Sequence, residues 1–288
     1  MLRSKTKILN AFRKVGMNLS VERMMMQYTQ GRSHKTFAAR LLPQNYQYPK
    51  NAKRTISRYG FKWELDISDY MQYCLYFGIV TEPRKKLYDL VPDAGIVIDV
   101  GVNFGETLLH FSKLAPKGTV IGFEPIPFLY HQCKHHLEIN HITNAHLHNL
   151  ALSDKPEKLN FNLAVVHNTG GFSMQKSTNG QGIVNAVRLD DFCLENKIEK
   201  VDLIKIDVEG FEYNVLLGAQ QVLARHKPTL FIELDDTNLK KHNSSAKQLV
   251  ALLLAVGYRI TNAETDDALD ANANFDACHY DIICRIEN

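Results

Sequence analysis

The sequence predicts an α/β protein: a mostly parallel sheet with helices on both faces, preceded by an N-terminal appendage. Three observations predict it. From Gly95 onward, short apolar runs alternate with helical patterns. The runs are continuous rather than alternating, as in strands buried on both faces. The polar residues of interest fall at the carboxyl ends of those runs, where open α/β sheets take their ligands.

The elements follow in order. Residues 1 to about 50 read as irregular and polar, with Pro43 and Pro49. Ile8, Phe12, Val15 and Leu19 suggest one apolar face on a basic helix, although Gly16 weakens it. Ile56 to Ile67 reads as two short strands around Tyr59-Gly60. Ser68 or Asp69 can cap a helix carrying Tyr73, Leu75 and Tyr76. A second helix is expected over about 82–91. Residues 1–94 thus form the appendage and residues 95–288 the main domain. There, strands are expected at 96–100, 119–124, 146–151, 201–207 and 229–234, then near 258–262 and 280–286. Helices are expected at 106–114, 127–140, 190–196, 212–224 and 246–256. The polar, Gly-containing stretch 160–188 reads as an inserted hairpin.

Composition is that of an ordinary globular chain, with 45% hydrophobic and 23% charged residues. The formal net charge of +3 gives no reason to propose nucleic acid as a partner. The charge is uneven, however. Residues 1–58 carry about a dozen Lys and Arg and a single acid, Glu22. This is either a solvated basic arm or a surface that docks on anionic lipid or an acidic polymer. No apolar run is long enough for a transmembrane span, and the first residues lack a secretory signal. Cys74, Cys133, Cys193, Cys278 and Cys284 form no CxxC pair and are odd in number, which reads as reduced thiols in a cytoplasmic chain.

Five segments carry chemistry. The first, Gly95 to Thr107, is a strand, a Gly-rich turn and a helix start, with Asp99, Gly101, Asn103 and Gly105 at alternate positions. Glycine there lets backbone approach a ligand, and the helix that follows directs free N–H groups at it. The plain alternative is a turn that only packs. In the second, Glu124 ends the next strand, 25 positions after Asp99. An acid at this separation takes the ribose hydroxyls of an adenosine cofactor. In the third, Ala151, Leu152 and Ser153 could flank a purine ring.

The fourth segment brings Lys205, Asp207, Glu209 and Glu212 to the end of a central strand. Crowded carboxylates there have pKa values pushed apart, which suits a general base. Glu212 reads equally well as a helix-capping acid. In the fifth, Glu233 ends the neighbouring strand. Asp207 and Glu233 could hold a divalent cation or share a proton, but no further ligand is placed by the sequence, so no metal is assigned. His131 and His135 have the i, i+4 spacing of a zinc pair without a completing ligand, and the local histidine cluster reads as surface.

Together these segments resemble the FkbM-type methyltransferases, which use S-adenosyl-L-methionine. The matching pieces are VIDVGVNFGET (97–107), IGFEPIP (121–127), NLALSD (149–154), VRLDDF (187–192), VDLIKIDVEGFEYNVLLGA (201–219) and PTLFIEL (228–234). DVEGFE is the most specific. Val102 departs from the Ala usual before Asn. The resemblance implies a Rossmann-like class I methyltransferase fold with a seven-stranded sheet, and O-methylation of a sugar, glycan or small-metabolite hydroxyl. It implies that Asp99, Gly101, Asn103 and Gly105 hold the methionine end of the cofactor. Glu124 would hold its ribose, and Ala151, Leu152 and Ser153 would lie near its adenine. Asp207, Glu209 and Glu212 would line the reacting side, with Asn168, Gly170 and Gly171 partly covering the cofactor. Asp207 is the first candidate for the base, Glu209 or Glu233 the second, and Lys205 could position the acceptor. An NAD(P)-dependent oxidoreductase is disfavoured because Asn103 replaces the second glycine of the dinucleotide turn. A non-catalytic module docking through the basic arm is the other alternative. The acceptor and the oligomeric state stay open.

Overall fold

The computed structural model describes residues 10, 11, 13, 14, 16–80, 84–163, 172–175 and 182–286. The expected apolar positions Ile8, Phe12 and Val15 and the covering residues Asn168, Gly170 and Gly171 lie outside them. Among the described residues the chain divides into two compact units, one before Arg84 and one from Arg84 onward.

The first unit contains a helix where the sequence predicts irregular chain, α1 (Leu19–Thr29), capped by Asn18, whose side chain accepts from Ser20 N at 2.9 Å. Its inward face includes Glu22 and Thr29, both buried. A polar inward face gives no apolar period, so the helix was not legible. Strands β1 (Lys53–Arg58) and β2 (Phe61–Asp66) pair antiparallel. The turn between them has Tyr59 at φ 57° and Gly60 at φ 85°, the doubly positive pair that suits the twist of a two-residue hairpin. Helix α2 (Tyr70–Phe77) is capped by Asp69, which accepts from Gln72 N at 3.1 Å. Trp63, Leu65, Ile67, Tyr76 and Phe77 are buried in this unit.

Glu22 is held inside it. Arg54 Nε and Nη2 donate to its two oxygens at 2.8 and 2.9 Å, and the Tyr76 hydroxyl donates at 3.0 Å. A buried carboxylate is tolerated only when paired and hydrogen-bonded in this way.

The second unit alternates strand and helix as expected. Its elements are β3 (Ile96–Val100), α3 (Glu106–Leu114), β4 (Thr119–Phe123), α4 (Pro127–Ile139), β5 (Ala145–His148), β6 (Ala151–Leu152), β7 (Glu157–Leu163), β8 (Phe172–Gln175), β9 (Gly182–Val187), α5 (Leu189–Glu195), β10 (Leu203–Ile206), α6 (Glu212–Leu217), α7 (Gln220–His226), β11 (Thr229–Asp235), α8 (Asp236–Lys241), α9 (Ala246–Val256), β12 (Arg259–Asn262), β13 (Ala268–Leu269) and β14 (His279–Arg285).

The main sheet has the order β13-β12-β14-β11-β10-β3-β4-β5. The pairings from β11 through β5 are parallel, and those from β11 out to β13 are antiparallel. This is the Rossmann-like sheet the alternation predicts, with two-residue β13 as an eighth strand at the edge. The chain runs outward from β3 to β5 and returns to β10 on the other side of β3. The carboxyl ends of β3 and β10 therefore flank the switch point, where such sheets bind ligands. Ile98, Ile204, Ile206, Leu230 and Ile232 line a fully buried core.

Two expected elements are broken, each for a visible reason. The strand expected at 146–151 ends at His148, because Asn149 turns the chain and donates from Nδ2 to Glu124 O and Pro125 O, both at 2.9 Å. Beyond it, β6 pairs with β9, and β9, β7 and β8 form the antiparallel insertion expected over 160–188. The helix expected at 212–224 splits around Gly218. A Cβ there would sit 2.0 Å from Ser153 O, so only glycine allows this approach. Asp190 then starts α7, accepting from Gln221 N and Val222 N at 3.0 Å and from Arg188 Nη2 at 3.0 Å. Asp190→Ala leaves these donors unsatisfied and is expected to cost about 1–3 kcal/mol, read as a lowered urea midpoint with an unchanged slope.

Candidate active site

Parallel pairing puts Lys205 of β10 in register with Asp99 of β3. One residue alternation further, Asp207 leaves the end of β10 on the same side. Lys205 Nζ reaches all three neighbouring groups. It donates to Gly101 O at 3.0 Å and lies 3.4 Å from Asp99 Oδ1 and 3.2 Å from Asp207 Oδ2. Lys205 and Asp99 are buried, while the Asp207 side chain is 45% exposed. Burial disfavours the ammonium, but Asp207 and Asp99 outweigh it and raise the Lys205 pKa. Burial raises the Asp99 pKa against the pull of Lys205 and of Thr107, whose hydroxyl donates to Oδ2 at 2.5 Å.

The turn after β3 is left-handed at Gly101, Asn103 and Gly105, with φ of 83°, 56° and 104°. Asn is the non-glycine residue that tolerates this, helped here by its own Oδ1 accepting from Phe104 N at 2.8 Å. At Gly101 a Cβ would lie 1.9 Å from Asp207 O, so the turn and the end of β10 are in backbone contact. Asn103 N donates to Glu124 Oε2 at 2.7 Å, and Ile126 N donates to Oε1 at 2.9 Å. Glu124 is buried, and that burial lifts its pKa to about 7 against these N–H donors. The two sequence motifs are thus joined by a direct hydrogen bond.

The acids beyond β10 differ in their partners. Glu209 sits at φ 56°, an uncommon conformation for a side chain without an Asn-type local bond. Asn238 Nδ2 donates to its Oε2 at 2.8 Å. Burial, with Asp207, Glu212 and Asp235 nearby, raises the Glu209 pKa to about 8. Glu212 is buried and accepts from Val208 N and Gly210 N at 3.0 and 3.1 Å, so it closes its own turn. Burial raises its pKa to about 7. Glu233 Oε2 is buried with no hydrogen-bond partner. Burial first, then Asp207 and Glu209, push its pKa far above the carboxylate range. Burial and the neighbouring carboxylates thus favour the neutral form of Glu233 beside the half-exposed Asp207. Asp207, Glu209 and Glu233 offer oxygens within 4.8 Å of one another among the described residues, a set that could hold a divalent cation or share a proton.

Ala151 and Leu152 are buried in β6, and Leu152 belongs to the apolar core. Ser153 is buried, and the single proton of its hydroxyl is shared between Asp154 Oδ1 at 3.0 Å and Glu157 Oε1 at 3.1 Å. His136, expected at the surface, is buried, with Nδ1 2.8 Å from Phe104 O behind the turn. Thr107 and Asn238 were not found from sequence. A threonine on a helix and an asparagine beyond the next strand carry no local signal of the acids they hold.

The chain is similar to known methyltransferases. The model of the methyltransferase FkbM domain matches residues 99–260. The 2-O-methyltransferase NoeI of Sinorhizobium fredii is 26% identical over 55% of this chain and 70% of its own. Methyltransferase 1 of Beauveria bassiana is 26% identical over 46% of this chain and 62% of its own. The crystal structure of methyltransferase FkbM from Methylobacillus flagellatus aligns with a TM-score of 0.45 at 17% identity. That alignment covers 75% of this chain and 55% of the other.

Glu124, Glu209 and Glu212 all have folded pKa values above their ordinary 4.5. The folded protein binds these protons more tightly than the unfolded chain. Their contribution to stability is full below that value and is lost as pH rises through about 7 to about 8. Denaturant unfolding is expected to show stability falling between about pH 4.5 and about pH 8 and levelling above it, with a shallower fall in Glu209→Gln. A rise over that window would contradict the assignment.

Proposed function

The chain belongs to the FkbM methyltransferase family, and on that footing we propose that it methylates a hydroxyl of a sugar, glycan or small metabolite. It is an S-adenosylmethionine-dependent methyltransferase. The cofactor supplies an already activated methyl group on a sulfonium. The observation that carries the proposal is the pairing of a half-exposed Asp207 with the cofactor-type turn through Lys205 and Gly101.

The donor set fits this cofactor. Glu124 is poised at the end of β4 with both oxygens oriented by backbone N–H groups and each able to accept again, as ribose hydroxyls require. In a dinucleotide site the turn's N–H groups face a pyrophosphate. Here Asn103 N faces the Glu124 carboxylate, with Asp99 also beneath the turn, which argues against NAD(P). Asp99, Gly101, Asn103 and Gly105 would shape the methionine end. Ala151, Leu152 and Ser153 would flank the adenine through backbone and methyl groups, since the Ser153 hydroxyl already has two carboxylate partners.

A hydroxyl is a weak nucleophile near neutral pH, so a base is needed. Asp207 would accept the acceptor's proton as its oxygen bonds the methyl carbon and the sulfur leaves as a neutral thioether. Lys205 would hold Asp207 in place. Glu209 is the second candidate for the base, and neutral Glu233 would keep negative charge from accumulating beside Asp207. The Sinorhizobium relative supports oxygen as the acceptor atom.

Methyl-labelled S-adenosylmethionine offered with a panel of hydroxylated sugars and metabolites tests this reading. Asp207→Asn is expected to lower kcat by roughly 10²–10⁴ while S-adenosylhomocysteine affinity stays near wild type. Glu124→Gln is expected to weaken S-adenosylhomocysteine about 10–100-fold. Full-rate turnover by Asp207→Asn would remove Asp207 as the base.

A further inference from the structure

The net charge of +3 hides a sharp segregation. Fourteen Lys and Arg fall in the first 63 residues against one acid, Glu22, while the remaining residues carry 20 bases and 30 acids. That one acid is withdrawn from the surface. Glu22 is fully buried beneath α1, with Arg54 and Tyr76 on its oxygens. The described residues before Glu64 thus expose no acid, and the next acids, Glu64 and Asp66, are part-exposed on the strand paired with β1.

The same stretch exposes apolar side chains. Of the 12 large hydrophobics exposed among the described residues, eight lie between Leu19 and Val80. Phe37 is 78% exposed and Tyr28 59%. A basic arm that is merely solvated has no use for them, and an acidic polymer would engage the charges alone. A bilayer with anionic headgroups engages both kinds of side chain.

Helix α1 combines the two. Glu22 and Thr29 face inward, while Leu19, Arg23, Met24 and Tyr28 are exposed along its outer arc. Between α1 and β1 lies an open cleft of about 460 Å³, lined by Leu19, Met26, Ile56 and Tyr76 together with Arg23 and Lys53. Arg54 lines it as well but is paired with Glu22, so its apolar walls with Arg23 and Lys53 match the glycerol region and phosphate of a lipid. No described helix is long and apolar enough to cross a membrane, so the contact is peripheral.

We propose that the N-terminal unit docks on the surface of an anionic phospholipid bilayer. Arg23 and Lys53 take a headgroup phosphate at the cleft, and Leu19, Tyr28 and Phe37 lie at the acyl boundary. The basic residues steer the approach, and the apolar side chains make the attachment persist when salt screens the charges.

Co-sedimentation of the full chain with vesicles tests it. The chain is expected to pellet with phosphatidylcholine vesicles containing about one third phosphatidylglycerol, and not with phosphatidylcholine alone. Arg23→Glu with Lys53→Glu is expected to lower vesicle affinity about tenfold or more. Tyr28→Ser with Phe37→Ser is expected to lower it several-fold while leaving binding to dextran sulfate unchanged. Unaltered thermal unfolding and S-adenosylhomocysteine binding in each variant show that the fold is intact. Failure to pellet with either vesicle overturns the proposal. So does equal binding to dextran sulfate and vesicles with no effect of the apolar substitutions, which would mark an acidic-polymer surface instead.

Discussion

Lys205 places a positive charge where two strand ends would otherwise present facing carboxylates. Its Nζ lies within 3.4 Å of Asp99 and 3.2 Å of Asp207, and it donates to the carbonyl that begins the glycine-rich turn. Without that cation, Asp99 would be a buried charge with a hydroxyl as its hydrogen-bonding support, and the crowded carboxyl end of β10 would repel the turn. The parallel register of β3 and β10 makes the contact geometrically unavoidable, because it sets Lys205 opposite Asp99. Gly101 then allows the backbones to meet. Fold, turn and acid cluster are thus coupled through one ammonium group.

The sheet was legible because continuous apolar runs have few other uses. The main-sheet strands and the order of the motifs followed from β3 onward. What failed to show was local breakage caused by distant partners. Gly218 interrupts a helical period because Ser153 O approaches it from another part of the unit. Asn149 ends a strand early because it binds carbonyls beyond β4. Helix α1 was hidden because its inner face is closed by an ion pair rather than by apolar residues.

The same division holds at the site. Asp99, Glu124 and Asp207 were readable because each ends an apolar strand. The partners that set their properties, Thr107 and Asn238, were not, since a hydrogen bond across the fold leaves no period in the sequence. Nor could the sequence rank the acids. Glu209, Glu212 and Glu233 look alike as letters. Structure separates a strained and bonded Glu209, a Glu212 turned onto its own loop and a Glu233 buried enough to stay protonated. The charge pattern before Glu64 also needed structure, because only its burial removes Glu22 from an otherwise basic stretch.

The Lys205 ammonium holds the glycine-rich turn against the acid cluster. Calorimetric titration with S-adenosylhomocysteine of the wild type, Lys205→Met and Lys205→Met with Asp99→Asn tests this coupling. The single variant is expected to bind about tenfold or more weakly, since an unpaired buried carboxylate displaces the turn. The double variant should recover most of that loss, because a neutral amide needs no cation. Wild-type affinity in Lys205→Met, or no recovery in the double variant, would contradict it.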